Sequence, residues 1–167
     1  MGVLKMNYNY FTGSELDCFD GQKGGLYLVG SCNFNPLTDE KYYWIKVVVA
    51  KTFKKRMASY RTHNPMLWKN SYFFCEDETQ RYYLESQCHE ILNIKAIGSL
   101  SEASEWYEVD KDTYLNICNK GFDFFKEEAF HYYAVATLSA IKTKEGTKRT
   151  YFQYYAKQFK ETAALLS

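Results

Sequence analysis

The chain has 167 residues, of which 46% are hydrophobic and 25% charged, with a formal net charge of +1. This is the composition of an ordinary globular domain, so a collagen-like or wholly disordered chain is excluded. No apolar run approaches the roughly 20 residues of a membrane span. Residues 1–23 also lack the apolar stretch of a secretory signal, so we expect neither a membrane partner nor secretion.

The chain is rich in aromatic residues, with 16 Tyr, 12 Phe and 3 Trp. Tyrosine packs well on half-buried strands and also stacks on bases, which indicates β-structure and, second, a nucleic-acid partner. An odd number of cysteines without a Cys-x-x-Cys pair indicates reduced thiols in a cytoplasmic protein rather than a disulfide framework or structural zinc site. The five are Cys18, Cys32, Cys75, Cys88 and Cys118.

Charge is segregated along the chain despite the near-neutral total. Residues 41–63 contain seven basic residues and no acidic one, and residues 101–128 contain eight acidic residues against three lysines. Residues 141–160 are basic again, with six basic residues and one Glu. A basic block of this kind indicates either a surface that binds a phosphate backbone or simply a solvent-exposed face.

The first half of the chain predicts three strands and one helix. Residues 25–34 and 42–50 are β-rich and are joined by a loop around Pro36, which predicts an antiparallel pair. Residues 51–61 change to a helical period. Residues 67–76 predict a third strand.

The second half begins with Asp77, which predicts an N-cap for a helix over 78–92. Asp110 predicts the N-cap of another helix that ends near Lys120. Residues 130–143 and 147–155 flank a Lys-Glu-Gly turn and are interpreted as a β-hairpin. The apolar stripes of the two helices are predicted from Leu84, Cys88, Ile91 and Leu92, and from Tyr114, Leu115 and Cys118.

These elements predict a mixed α/β (α+β) fold. A small, largely antiparallel sheet is flanked by helices in the order β-β-α-β-α, and a C-terminal helix and β-hairpin extend it. The chain is divided into an N-terminal extension over 1–23, a core over 24–100, and a C-terminal extension over 101–167 that packs on the core.

Several short motifs follow one another in the core. Gly25-Leu26-Tyr27 lies in the first strand and Lys46-Val47-Val48 in the second. Arg56 lies in the helix that follows, and Glu85 and His89 share one face of the next helix. In this order the motifs resemble the GIY-YIG nuclease superfamily, in particular its short phage and bacterial branch, over residues 24–92.

The resemblance implies a metal-dependent DNA endonuclease that uses one divalent cation, Mg²⁺ or Mn²⁺. It implies four catalytic residues: Tyr27, Lys46, Arg56 and Glu85. Tyr27 would activate or orient water, Arg56 would bind phosphate, and Glu85 would hold the metal. Phosphodiester hydrolysis requires these types of group, because charge grows on the phosphoryl oxygens. The implied substrate-binding residues are Lys54, Lys55, Tyr60, Arg61, His63 and His89.

Two positions depart from the family pattern. Val48 replaces the glycine that closes the second motif, and Tyr60 stands where many members have a histidine. The alternative is therefore a catalytically impaired binding protein on the same scaffold, such as a phage-encoded inhibitor of a host defence nuclease complex. Its protein partner would bind the acidic residues 102–128, which imitate a DNA backbone, or the aromatic C-terminal hairpin.

Overall fold

The computed structural model describes residues 5–8, 24–50, 67–75, 77–98 and 106–167. They form two compact units, which divide between Phe122 and Asp123. The predicted helix over 51–61 lies outside the described residues. Within the described part of the chain, no helix is both long enough and apolar enough to cross a membrane.

The first unit contains an antiparallel sheet of five strands in the order β1-β4-β2-β3-β5. The predicted mixed α/β fold and the antiparallel pairing of the first two predicted strands are confirmed. Strands at both edges were not predicted, and they bring parts of the two predicted extensions into the sheet. The strands are β1 (Lys5–Tyr8), β2 (Gly25–Phe34), β3 (Lys41–Ala50), β4 (Leu67–Phe74) and β5 (Tyr107–Val109).

The register of β2 and β3 assigns their side chains to two faces. Tyr27 is opposite Val48 and Val29 is opposite Lys46, and paired residues share a face, so these four define the Tyr27 face. The alternate residues of both strands, including Leu28 and Val47, define the Leu28 face. Buried side chains occur on both faces, which explains the nearly continuous apolar sequence of these strands.

Two helices follow the sheet strands in the first unit. Helix α1 (Glu78–Lys95) begins after the N-cap Asp77, and helix α2 (Lys111–Lys120) begins after the N-cap Asp110, as predicted. The four residues predicted for the α1 stripe are all buried.

Helix α2 packs on the Leu28 face of the sheet. The rings of Tyr43 and Tyr114 are 5.0 Å apart, and a Cβ added to Gly30 would be 3.1 Å from Tyr114 Cε2. The prediction that Leu115 belongs to the buried stripe is wrong, because it is 40% exposed and Ile117 takes its place. A shift of two positions moves a side chain by about 200° around a helix, so one misplaced residue changes the inferred face.

The predicted C-terminal β-hairpin is wrong, because both of its arms are helical. Helices α3 (Phe122–Lys142) and α4 (Thr147–Leu165) flank the predicted turn. Several of their buried residues recur at helical spacing, among them Phe125, Ala129, Ala136 and Ala140 in α3, and Ala156, Phe159 and Ala163 in α4.

Aromatic contacts within the second unit connect its two helices. The rings of Tyr132 and Phe159 are 5.5 Å apart, and Lys160 Nζ is 6.0 Å from the centroid of the Tyr133 ring. Tyr132 therefore packs between the two helices, whereas Tyr151 and Tyr154 are exposed. Gly146, with a φ of 137°, precedes α4, so the glycine was correctly assigned to a turn but the turn connects helices.

The cap of α1 gives a direct test of local stability. Asp77 Oδ1 accepts a hydrogen bond of 2.8 Å from the backbone N–H of Gln80. We expect Asp77→Ala to lower the free energy of unfolding by about 1 kcal/mol, because one N–H of the first turn loses its acceptor. Asp77→Ser keeps an acceptor and should stay close to the parent in urea unfolding. Equal losses in both variants would contradict the capping role.

Candidate functional site

Two of the residues implicated by sequence, Tyr27 and Lys46, lie on the Tyr27 face. Lys46 pairs with Val29, two residues from Tyr27 along β2, and is therefore the diagonal neighbour of Tyr27. Diagonal neighbours in a sheet are about 7–8 Å apart, within the reach of a long side chain. The Tyr27 side chain has 0% exposure, whereas Lys46 is half-buried. The pair thus combines a fully buried phenol with a half-buried lysine.

Trp106 adds an aromatic ring beside Lys46. Lys46 Nζ is 5.7 Å from the centroid of the Trp106 ring, a cation–π distance. Sequence reasoning did not assign a site role to Trp106, although it directly precedes β5. Recognising β5 as a strand would have indicated this contact, since its pairing with β3 brings residue 106 near Lys46.

Glu85 and His89 of α1 bind the backbone of β3. Glu85 Oε2 accepts a hydrogen bond of 2.7 Å from the Val49 N–H. His89 Nε2 is 2.7 Å from the Val47 carbonyl oxygen, and because a carbonyl oxygen only accepts, Nε2 donates. The prediction that both residues share a helix face is confirmed by these bonds to a single strand.

His89 also shows from which side α1 approaches the sheet. Its ring is 5.5 Å from the ring of Tyr107, which pairs with Ile45 and therefore belongs to the Leu28 face. Glu85 thus reaches the edge of β3 from the side opposite to the Tyr27 side chain. Glu85 and Tyr27 thus lie on opposite sides of the sheet, but both contact the segment of β3 around Val48 and Val49.

Two of the buried cysteines, Cys75 and Cys88, do not suit nucleophilic chemistry. Burial, to which the Glu85 charge adds, raises the pKa of the Cys88 thiol far above its usual range. Burial also raises the pKa of the Cys75 thiol. A thiol is nucleophilic as the thiolate, so burial disfavours the reactive form at both positions, most at Cys88.

The remaining site residues predicted from the sequence lie outside the described residues. They are Lys54, Lys55, Arg56, Tyr60, Arg61 and His63. The described part of the site therefore consists of Tyr27, Lys46, Glu85 and His89, with Trp106 as an addition.

The donor groups fit a cation that is shared with a substrate. Among the residues that the structure describes, no three His, Cys, Asp or Glu side chains form a metal-binding cluster. Mg²⁺, however, commonly binds one or two carboxylates, with waters and phosphate oxygens as its other ligands. Glu85 accepts from Val49 through Oε2, and a carboxylate has a second oxygen that suits such a ligand.

Comparison with known proteins gives no relative for this chain. No protein-family model, no curated protein and no solved structure matches it.

Proposed function

We propose that the chain is a metal-dependent DNA endonuclease of the GIY-YIG type, which acts in the cytoplasm of a bacterial or phage-infected cell. The observation that supports this proposal is that a phenol, an ammonium and a carboxylate border one segment of β3, the first two on the Tyr27 face and the third at the strand edge on the opposite side. Tyr27 is opposite Val48, Lys46 shares its face, and the Glu85 carboxylate is 2.7 Å from the N–H of Val49. Phosphodiester hydrolysis needs a group that orients water, cations and a metal-binding carboxylate.

Each group has a definite task in the proposed reaction. The Tyr27 phenol orients the attacking water, and the Lys46 ammonium offsets charge on the phosphate. Arg56 binds two phosphate oxygens through its planar guanidinium. Glu85 would hold one Mg²⁺ or Mn²⁺. When bound, this ion stabilises the charge that develops on the phosphoryl oxygens.

The test is cleavage of plasmid and oligonucleotide DNA with Mg²⁺ or Mn²⁺ and with EDTA. We expect cleavage only with the metal, and a loss of about 100-fold or more in Arg56→Ala and Glu85→Gln, because each removes a charge that the transition state needs. Glu90→Gln is the matched control, since it removes a carboxylate from the same helix. Variants that cleave as fast as the parent would contradict the assigned roles.

A second candidate function, a catalytically impaired binding protein, is favoured by the environment of Tyr27. The phenol has 0% exposure, and Val48, opposite it, has 3%. A β-branched side chain at this position closes the space beside the phenol. The acidic side chains Asp110 and Asp112 are exposed at the start of α2 and would contact a basic groove of a protein partner.

The two candidates differ in their response to metal and to protein. The binding protein should form a stoichiometric, salt-sensitive complex with a host defence nuclease, which Asp110→Asn with Asp112→Asn weakens. It should not cleave DNA with any divalent cation. Metal-dependent cleavage by the purified chain would exclude this second candidate.

A further inference from the structure

The edge of β3 is covered in two different ways along its length. Strand β5 pairs with β3 from Tyr43 to Ile45, where Tyr107 is the last partner. Further along β3, the Val47 carbonyl and the Val49 N–H are bonded by side chains of α1. Backbone groups of alternate strand residues point to the same edge, so Val47 and Val49 continue the row that β5 begins.

The spacing of the two side chains on α1 matches the spacing of the two backbone groups. Four residues of a helix rise about 6 Å, which is the separation of Glu85 and His89 along the axis. Two residues of a strand span about 6.6 Å, which is the separation of Val47 and Val49. Glu85 binds the later strand residue and His89 the earlier one, so α1 runs antiparallel to β3.

The chemistry of the two side chains is complementary to the strand edge. Glu85 supplies an acceptor where the edge presents an N–H, and His89 supplies a donor where the edge presents a carbonyl. An additional strand would supply the same two types of bond. Exposed strand edges pair readily with other chains, and a charged side chain on such an edge also opposes this pairing.

We propose that Glu85 and His89 are positioning residues that form an edge latch, defined as their two bonds to Val49 and Val47. The latch holds residues 46–49 in the register that places Lys46 beside Tyr27. Glu85 then has two tasks, one toward the strand and one toward the metal. The catalytic consequence of the latch rests on the endonuclease function proposed above.

The test uses pairs of variants that separate these tasks. Glu85→Gln keeps an acceptor for Val49 but loses the charge for the metal, whereas Glu85→Leu loses both. His89→Gln keeps an N–H donor for Val47, whereas His89→Phe keeps the ring beside Tyr107 but loses the donor. Ser86→Ala, at an exposed position of the same helix, is the control.

The first measurement is NMR hydrogen exchange of the Val49 amide in the full chain. We expect exchange to accelerate by about 10- to 100-fold in Glu85→Leu, because a bond to a charged acceptor is lost. His89→Phe should accelerate it in the same direction. Glu85→Gln and His89→Gln should stay near the parent. If neither Glu85→Leu nor His89→Phe accelerates Val49 exchange more than Ser86→Ala does, the latch is refuted. If Glu85→Leu does not fold, the result with His89→Phe alone decides whether the latch exists.

The second measurement is DNA cleavage. We expect Ser86→Ala to retain it, Glu85→Gln to lose it with the latch intact, and His89→Phe to reduce it more than His89→Gln does. If His89→Phe disrupts the latch but cleaves like the parent, the positioning role is refuted. A parent chain without cleavage refutes the endonuclease function, and Val49 exchange still decides whether the latch exists.

Discussion

Tyr27→Ala is expected to lower the free energy of unfolding by about 3–5 kcal/mol, as for other large buried aromatic side chains. Tyr27 has 0% exposure and lies in β2, between β3 and β4. Its removal leaves a cavity on the Tyr27 face that the central strands cannot fill. Urea unfolding followed by circular dichroism measures the loss. A cost below about 1 kcal/mol would contradict the burial of this side chain.

Tyr27→Phe separates packing from chemistry at the same position. It keeps the ring and removes only the hydroxyl, so we expect a change in stability of about 1 kcal/mol or less. If the phenol orients water as proposed, this variant loses cleavage while it remains folded. Equal cleavage by Tyr27→Phe and the parent would leave Tyr27 with a packing role alone.

Tyr114→Ala is expected to lower the free energy of unfolding by a similar amount, about 3–5 kcal/mol. Tyr114 is buried between α2 and the Leu28 face, 5.0 Å from the ring of Tyr43. A Cβ at Gly30 would lie 3.1 Å from Tyr114 Cε2 and 3.2 Å from its Oη, closer than ordinary contact. Gly30→Ala alone should therefore cost about 1–3 kcal/mol through overpacking.

The two substitutions should not be additive. Once Tyr114 is truncated, the Cβ at Gly30 has room, so Gly30→Ala should cost less in that background. We expect a coupling energy of about 0.5–3 kcal/mol in a double-mutant cycle of urea unfolding. Asp77→Ala serves as the control partner for Gly30→Ala, because the cap has no part in the α2 packing. An additive Gly30–Tyr114 cycle would contradict the close approach.

Local signals in the sequence predicted the central sheet and the first unit's helices. β2 and β3 are long β-rich runs, and a continuous apolar run with flanking turn residues indicates a strand buried on both faces. Asp77 and Asp110 marked the helix starts because an N-cap depends on residues only three positions apart. The short edge strands were missed, since a segment of three or four residues carries too few positions to show a period.

The C-terminal hairpin was assigned incorrectly because aromatic residues pack equally well in strands and between helices. The alanines at 129, 136 and 140 were the better evidence, since their spacing follows a helix. The Lys-Glu-Gly turn could not distinguish a helical hairpin from a β-hairpin, because both need a tight turn.

For the candidate site, the four-residue spacing of Glu85 and His89 showed that they share a helix face, but not what that face contacts. Their actual partners are the backbone groups of Val49 and Val47, 36 and 42 residues away. Every residue except proline carries the same N–H and carbonyl, so no sequence pattern identifies which of them a side chain binds. Trp106 was missed as a neighbour of Lys46 because their contact depends on the pairing of β5 with β3, which the sequence did not predict.

The sequence by itself determined the periods of the main elements, their capping residues and the types of chemical group available. Only the tertiary structure decided that the pairing of β3 with β5 ends at Ile45 and Tyr107, that α1 side chains bond the next part of the β3 edge, and that Tyr27 is buried. The physical reason is range. Period and capping arise from neighbours a few residues apart, whereas strand edges and enclosure arise when distant segments meet and compete for the same backbone bonds and apolar surface.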